Sequence, residues 1–135
     1  MSARSKARKR ALDVLYAADL RGESAVEALE RVQAAGDAPP NPYTAVLVRG
    51  VAEQRERIDE LLREHSTGWT VERMPAVDRN VLRLGVWELL WADDVPGPVA
   101  VSEAMALVQE LSTDESPQFV NGLLGAIQRA HPAVG

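Results

Sequence analysis

Five basic side chains fall within the first ten residues, MSARSKARKR: Arg4, Lys6, Arg8, Lys9 and Arg10. No acid stands among them. The 135-residue chain carries 15 basic and 20 acidic side chains, so residues 11–135 hold ten basic against twenty acidic and a charge of −10. A block of like charge reads as an interaction arm, and a basic block favours nucleic acid. Guanidinium and ammonium groups bind phosphate and release counterions, which gives affinity without sequence information. The acidic remainder repels a polyanion and confines it to the basic strip. Arg4 and Arg8 lie four residues apart, on one face of a helix. Tyr16 follows Arg8 by eight residues and borders that face, where its ring can stack on an unpaired base. The same spacing suits a core tyrosine equally well.

A second candidate is Phe119, the one phenylalanine of the chain. It follows Ser116-Pro117, a cap and first-turn proline for a terminal helix. Unpaired N–H groups at a helix start attract anions, and an aromatic beside them can stack a base. A core role is the competing reading. Asn121-Gly122 lies inside that helix, where glycine costs about 1 kcal/mol relative to alanine. That cost points to a close helix crossing at Gly122 and Gly125, with Asn121 bracing a neighbouring loop.

Catalytic patterns are missing from the sequence: it has no glycine-rich phosphate loop, no HExxH and no G-x-S-x-G. With no cysteine, disulfides, thiolate metal ligands and cysteine catalysis are excluded. His65 and His131 each fall near an expected helix end, where imidazole is favourable without catalysis. The carboxylates of EQRERIDE read as a solvated helix face. Neither an enzyme, nor a cofactor, nor a metal site is expected.

The elements that must carry these residues are helical. Ala11, Val14, Leu15 and Ala18 repeat at helical spacing, predicting a helix from about Ser5 to Leu20 that Gly22 stops. Ser24 with Glu27 forms a capping box for a second helix, ended by Gly36. DAPPNP, from Asp37 to Pro42, is a short linker. Asn41 caps a third helix that starts at Pro42 and runs to about His65, with Tyr43, Leu47, Val51, Ile58, Leu61 and Leu62 inward. Thr70 to Met74 makes a turn or two. Pro75 opens the most apolar helix, expected to be central, with Trp87 and Trp91 anchoring the core. One helix follows from about Val99 to Leu111, and another from Ser116 to His131-Pro132. The expectation is all-α, one domain over residues 1–135 of about six or seven helices, with residues 1–10 as its basic arm. Apolar runs are too short for a membrane span, and Asp13 and Asp19 interrupt any signal-peptide core, so a cytoplasmic protein is expected.

The stretches ARKRALDVLYAADLR, AVDRNVLRLGVWELLWADDVPGPVAVSEAMALVQELST and DESPQFVNGLLGAI resemble the bacterial NusB proteins, in order and over nearly the whole chain. The resemblance implies an all-helical transcription antitermination factor. Such a factor pairs with NusE, the ribosomal protein of the small subunit. The pair binds single-stranded boxA RNA of ribosomal RNA leaders and joins an RNA polymerase complex with other Nus factors. On this resemblance the RNA-binding residues are Arg4, Lys6, Arg8, Lys9 and Tyr16 from the arm and Gln118 and Phe119 from SPQFVNG, and Asp78 meets NusE. Two alternatives compete: a self-associating structural helical protein, the homodimer covering its basic face, and a stand-alone relative of the RNA-binding module of rRNA methyltransferases.

Overall fold

A computed structural model describes residues 2–37 and 40–132. Ala38 and Pro39 of the DAPPNP linker lie outside the described residues. The chain forms two compact units, Met1–Gln54 and Arg55–Gly135. Among the described residues there are seven α-helices and one short 3-10 turn, and no strand.

The first unit holds α1 (Ala3–Arg21), α2 (Ala25–Ala34) and α3 (Tyr43–Glu53), each packed on the other two. Local chemistry sets the ends. The Ser2 hydroxyl accepts from the Ser5 N–H at 3.0 Å and starts α1. Gly22, at φ 67°, takes the left-handed turn that closes α1, as glycine does without a Cβ penalty. Ser24 accepts from the Glu27 N–H at 3.3 Å, and Asn41 Oδ1 accepts from the Tyr43 N–H at 2.9 Å. The Ser24 cap stands where the sequence puts it, whereas α3 starts at Tyr43 with Pro42, not Asn41, in the cap position. The inward side of α1 is built from Ala7, Ala11, Leu12, Leu15 and Ala18. Its small side chains let α3 approach so closely that the buried Thr44 hydroxyl donates to the Ala7 carbonyl at 3.0 Å.

The second unit holds α4 (Arg55–His65), a 3-10 turn (Val71–Arg73), α5 (Ala76–Trp91), α6 (Gly97–Leu111) and α7 (Ser116–Ala130). As expected, α5 is central, packing against α4, α6 and α7. The single helix expected from Pro42 to His65 is instead two. Gln54 leaves the helical region at φ −104°, ψ 14°, while still donating to the Gly50 carbonyl, and the ladder restarts at Arg55. Gly50, one turn earlier, lowers helix propensity at the break. The six apolar residues expected inward along this stretch are all buried.

α5 departs from its expected stripe. Val81, Leu82, Leu84 and Val86 are buried, but so are Asn80, Arg83, Gly85 and Glu88, whereas Trp87 and Trp91 are half-exposed. Arg83 donates through Nε and Nη2 to Asp59 at 2.9 and 3.0 Å and through Nη1 to Asn80 at 3.1 Å. Asp59 thus leaves the solvated face expected of EQRERIDE. It is 7% exposed and also accepts from Arg55 at 3.0 Å. Arg79 donates to the carbonyls of Val71 and Met74, both at 3.2 Å, tying the 3-10 turn to α5. The DRNVLR motif is therefore a scaffold.

The close crossing expected at Gly122 and Gly125 is not there. A Cβ on Gly122 would meet nothing within 4 Å, and one on Gly125 only the far end of Arg129. Asn121 and Gly122 are exposed. The tight position is Gly85, where a Cβ would sit 3.0 Å from Leu124 and 3.6 Å from Ala104, at the crossing of α5 with α6 and α7.

Candidate nucleic-acid interface

The basic residues occupy the first turns of α1, which is helical from its Ser2 cap onward. Asn41 Nδ2 donates to the Ala3 carbonyl at 3.3 Å, and with the Thr44–Ala7 bond it clamps this end of α1 to the start of α3.

At about 100° per residue, the apolar stripe fixes which cations face outward. Arg4 and Arg8 fall on the stripe's side, flanking Ala11 and Leu15. The Arg4 guanidinium lies 4.1 Å from the centre of the Tyr43 ring and that of Arg8 lies 5.8 Å from it, both within cation–π range. Arg8 is only 4% exposed. Its long stem packs along apolar surface, and its charge is engaged within the protein instead of being offered to phosphate. The Arg4–Arg8 face turns onto Tyr43. Lys6 and Arg10 are exposed and Lys9 half-exposed. Tyr16 is 36% exposed, so the core reading falls. It shares its outward face with Lys9 and Asp13, not with Arg4 and Arg8. Partial burial raises the Asp13 carboxyl above its ordinary value of 3.8, and the neighbouring Lys9 and Arg10 act in the opposite direction.

In the second unit, Phe119 is half-buried, and its ring meets that of Trp69 edge-on, with centroids 4.9 Å apart at 71°. The pair borders a 440 Å³ hollow lined also by Thr67, Gly68, Glu115 and Gln118. Gly68, at φ 110°, makes the turn that presents Trp69, and the Ser66 hydroxyl donates to the Trp69 carbonyl at 2.6 Å. Gln118 is exposed at the rim. The hollow offers two aromatic rings, an amide and a carboxylate. That set suits the flat faces and amino edges of an unpaired base better than a phosphate. Trp69 had no assignment from sequence; its partner lies fifty residues away in the chain, so no local pattern announces it.

Ser116 does not cap α7. Its hydroxyl lies 2.9 Å from those of Ser112 and Thr113, and Glu115 takes the cap position without a side-chain bond. Pro117 does occupy the first turn. Asp78 is 0% exposed, and its Oδ1 accepts from the Ser112 hydroxyl at 2.5 Å. Its Oδ2 is buried with no partner among the described residues. In the chain by itself Asp78 is thus an internal strut that braces Ser112. His65 and His131 stand at helix ends as expected, with rings 6.1 Å apart and edge-on. Among the described residues, no cluster of three or more metal-ligating side chains occurs and no helix is long and apolar enough to cross a membrane.

A transcription antitermination protein NusB of Nocardioides sp. (strain ATCC BAA-499 / JS614) is 72% identical over 134 residues, covering 99% of both chains. Among solved structures, T. maritima NusB superposes with a TM-score of 0.83 at 30% identity, covering 98% of this chain and 94% of that one. The structure of antitermination factors NusB and NusE in complex with dsRNA matches with a TM-score of 0.82 at 32% identity, over 95% and 97% of the two chains. These are transcription factors, not enzymes. With the NusB family model matching residues 5–129 and an all-helical fold shared with solved members, this chain belongs to the NusB family.

Proposed function

We propose that this protein acts in transcription antitermination by binding boxA-type single-stranded RNA of ribosomal RNA leaders together with NusE, within an RNA polymerase complex that holds other Nus factors. The observation that carries the reading is the exposed cationic side of α1, presented by a folded and clamped helix on an otherwise acidic chain. A family member solved with NusE on RNA supports it. Lys6 and Lys9 take phosphates, and Arg4 reaches the strand from its seat on Tyr43. Tyr16 stacks beside them. On α7, Phe119 supplies a base-stacking ring and Gln118 hydrogen-bonds a base edge. Arg8 acts by holding the α1 face rather than by touching RNA.

That solved complex contains a duplex, whereas the Phe119–Trp69 edge is useful only to a base whose faces are free. An A-form duplex hides those faces. The test is a titration of fluorescent leader RNA, single-stranded and annealed to its complement, with and without purified NusE. The reading requires tightest binding to the single strand with NusE present. Equal binding of a scrambled strand, or no gain from NusE, overturns it.

A further inference from the structure

Beside the first two turns of α1 runs a groove of about 580 Å³, within the range of about 300–1,000 Å³ typical of small-ligand sites. Its floor is Ala3 and Ala7, its outer wall carries Lys6 and Arg10, and its far wall is the turn Pro40-Asn41-Pro42. Lys6 and Arg10 are four residues apart and project from one side of the helix. No carboxylate lines the groove among the described residues. The two alanines give it depth, since a longer side chain at either position would fill it. The far wall is held in place: Asn41 bonds back to the Ala3 carbonyl and accepts from the Tyr43 N–H. Pro40 and Pro42 are exposed, carry no N–H, and present rigid apolar rings. A cationic edge opposite an apolar edge matches a nucleotide unit, which carries its charge on one side and its sugar and base on the other.

We propose that this groove seats one nucleotide of the RNA strand, with Lys6 and Arg10 gripping a phosphodiester and the rings of Pro40 and Pro42 packing against the adjoining ribose and base. The proposal rests on the RNA-binding reading above and adds Arg10 and the 40–42 turn to it. Asp13, three residues beyond Arg10 on α1, feels the charge of Arg10 but does not line the groove.

The test combines salt-dependent titration with cross-linking, using leader RNA carrying 4-thiouridine and the full chain with NusE. Arg10→Gln and Lys6→Gln each remove a charge from an exposed position. Each is expected to reduce the slope of log K against log[salt] by about 0.7, the value for one single-strand phosphate. Arg21→Gln, at the other end of α1, is expected to leave it unchanged. A cross-link to the peptide containing Pro40–Pro42 is expected in the wild type and is lost in the Lys6→Gln/Arg10→Gln double variant. If the wild type binds RNA but Arg10→Gln leaves the slope unchanged and no cross-link reaches 40–42, the groove is empty and the broader RNA reading survives. If the wild type fails to bind any leader RNA, both fall. If inorganic phosphate at millimolar concentration shifts the amide resonances of Asn41 and Lys6 as fully as RNA does, the groove is a simple anion site and the nucleotide assignment is overturned.

Discussion

The Arg4 guanidinium stacks 4.1 Å from the centre of the Tyr43 ring, and Tyr43 is itself 8% exposed at the start of α3. One buried aromatic thus holds two arginines of the basic helix. Tyr43→Leu keeps an apolar side chain but removes the π face. About 0.5–1 kcal/mol per guanidinium is expected to be lost, read as faster amide exchange over residues 4–8. Tyr43→Phe keeps the ring face and should keep the protection. Equal exchange in the leucine and phenylalanine variants would eliminate the cation–π contact as the cause.

Arg8 and Lys6 should separate cleanly. Arg8 is buried and Lys6 is exposed on the same two turns. Arg8→Ala is expected to lower the thermal midpoint and leave the salt slope of RNA binding alone. Lys6→Ala is expected to do the reverse, with the slope falling by about 0.7–1. A lowered slope in Arg8→Ala would mean that its side chain swings out to phosphate.

Phe119→Ala removes one ring of the edge-on pair. RNA affinity should fall by about 1–3 kcal/mol if the ring stacks a base. Stability should fall by less than the roughly 3–5 kcal/mol typical of a fully buried phenylalanine, because the ring is half-exposed. In a Trp87→Phe/Trp91→Phe background, emission from Trp69 should change on adding RNA. Silence from Trp69 at saturating RNA would remove this hollow from the interface.

Arg83→Met should destabilise the second unit strongly. Removing one partner of a buried ion pair typically costs about 3–5 kcal/mol. Arg55 remains on Asp59 and should hold the loss toward the lower end. Urea unfolding checks the figure, and a change below about 1 kcal/mol would show the pair to be dispensable.

Two carboxylates should respond to pH in opposite senses. Arg31 forks onto Glu23 at 2.7 and 2.9 Å and lowers its carboxyl below the ordinary 4.5. That contribution is present above pH 4.5 and lost as pH falls through the lowered folded value. Asp13 is raised by partial burial, so its contribution is present below 3.8 and lost as pH rises through the raised folded value. Glu23→Gln should therefore lower the thermal midpoint at pH 7 and lower it less at pH 3. Asp13→Asn should not lower it at pH 7, and should tighten RNA binding at low salt by freeing Lys9 and Arg10 of an acid. Parallel melts at the two pH values decide both.

Short-range rules govern what could be read from the chain alone. Apolar spacing, proline, glycine at positive φ and the cap at Ser24 all act within a few residues. Those features placed most helices to within two or three residues and marked α5 as central. The order of the NusB-like motifs identified the family, because motif order is a property of sequence. Helix rotation was legible only in part: the stripe through Ala11 and Leu15 was visible, but not that it would carry Arg8 inward.

The buried polar side chains were decided by tertiary structure. Asp59 and Arg83 stand 24 residues apart, Asp78 and Ser112 stand 34 apart, and each acid looked like surface until its partner was in position. A charged residue reads as exposed by default because burying it alone is too costly. Only the fold supplies the distant donor that removes most of that cost. The same holds for Trp69 against Phe119, and for Lys6 and Arg10 facing Pro40–Pro42. Composition and periodicity determined a basic helix on an acidic helical protein. Which of its cations reach solvent depended on how α1 packs against α3, because only that contact sets the helix's rotation.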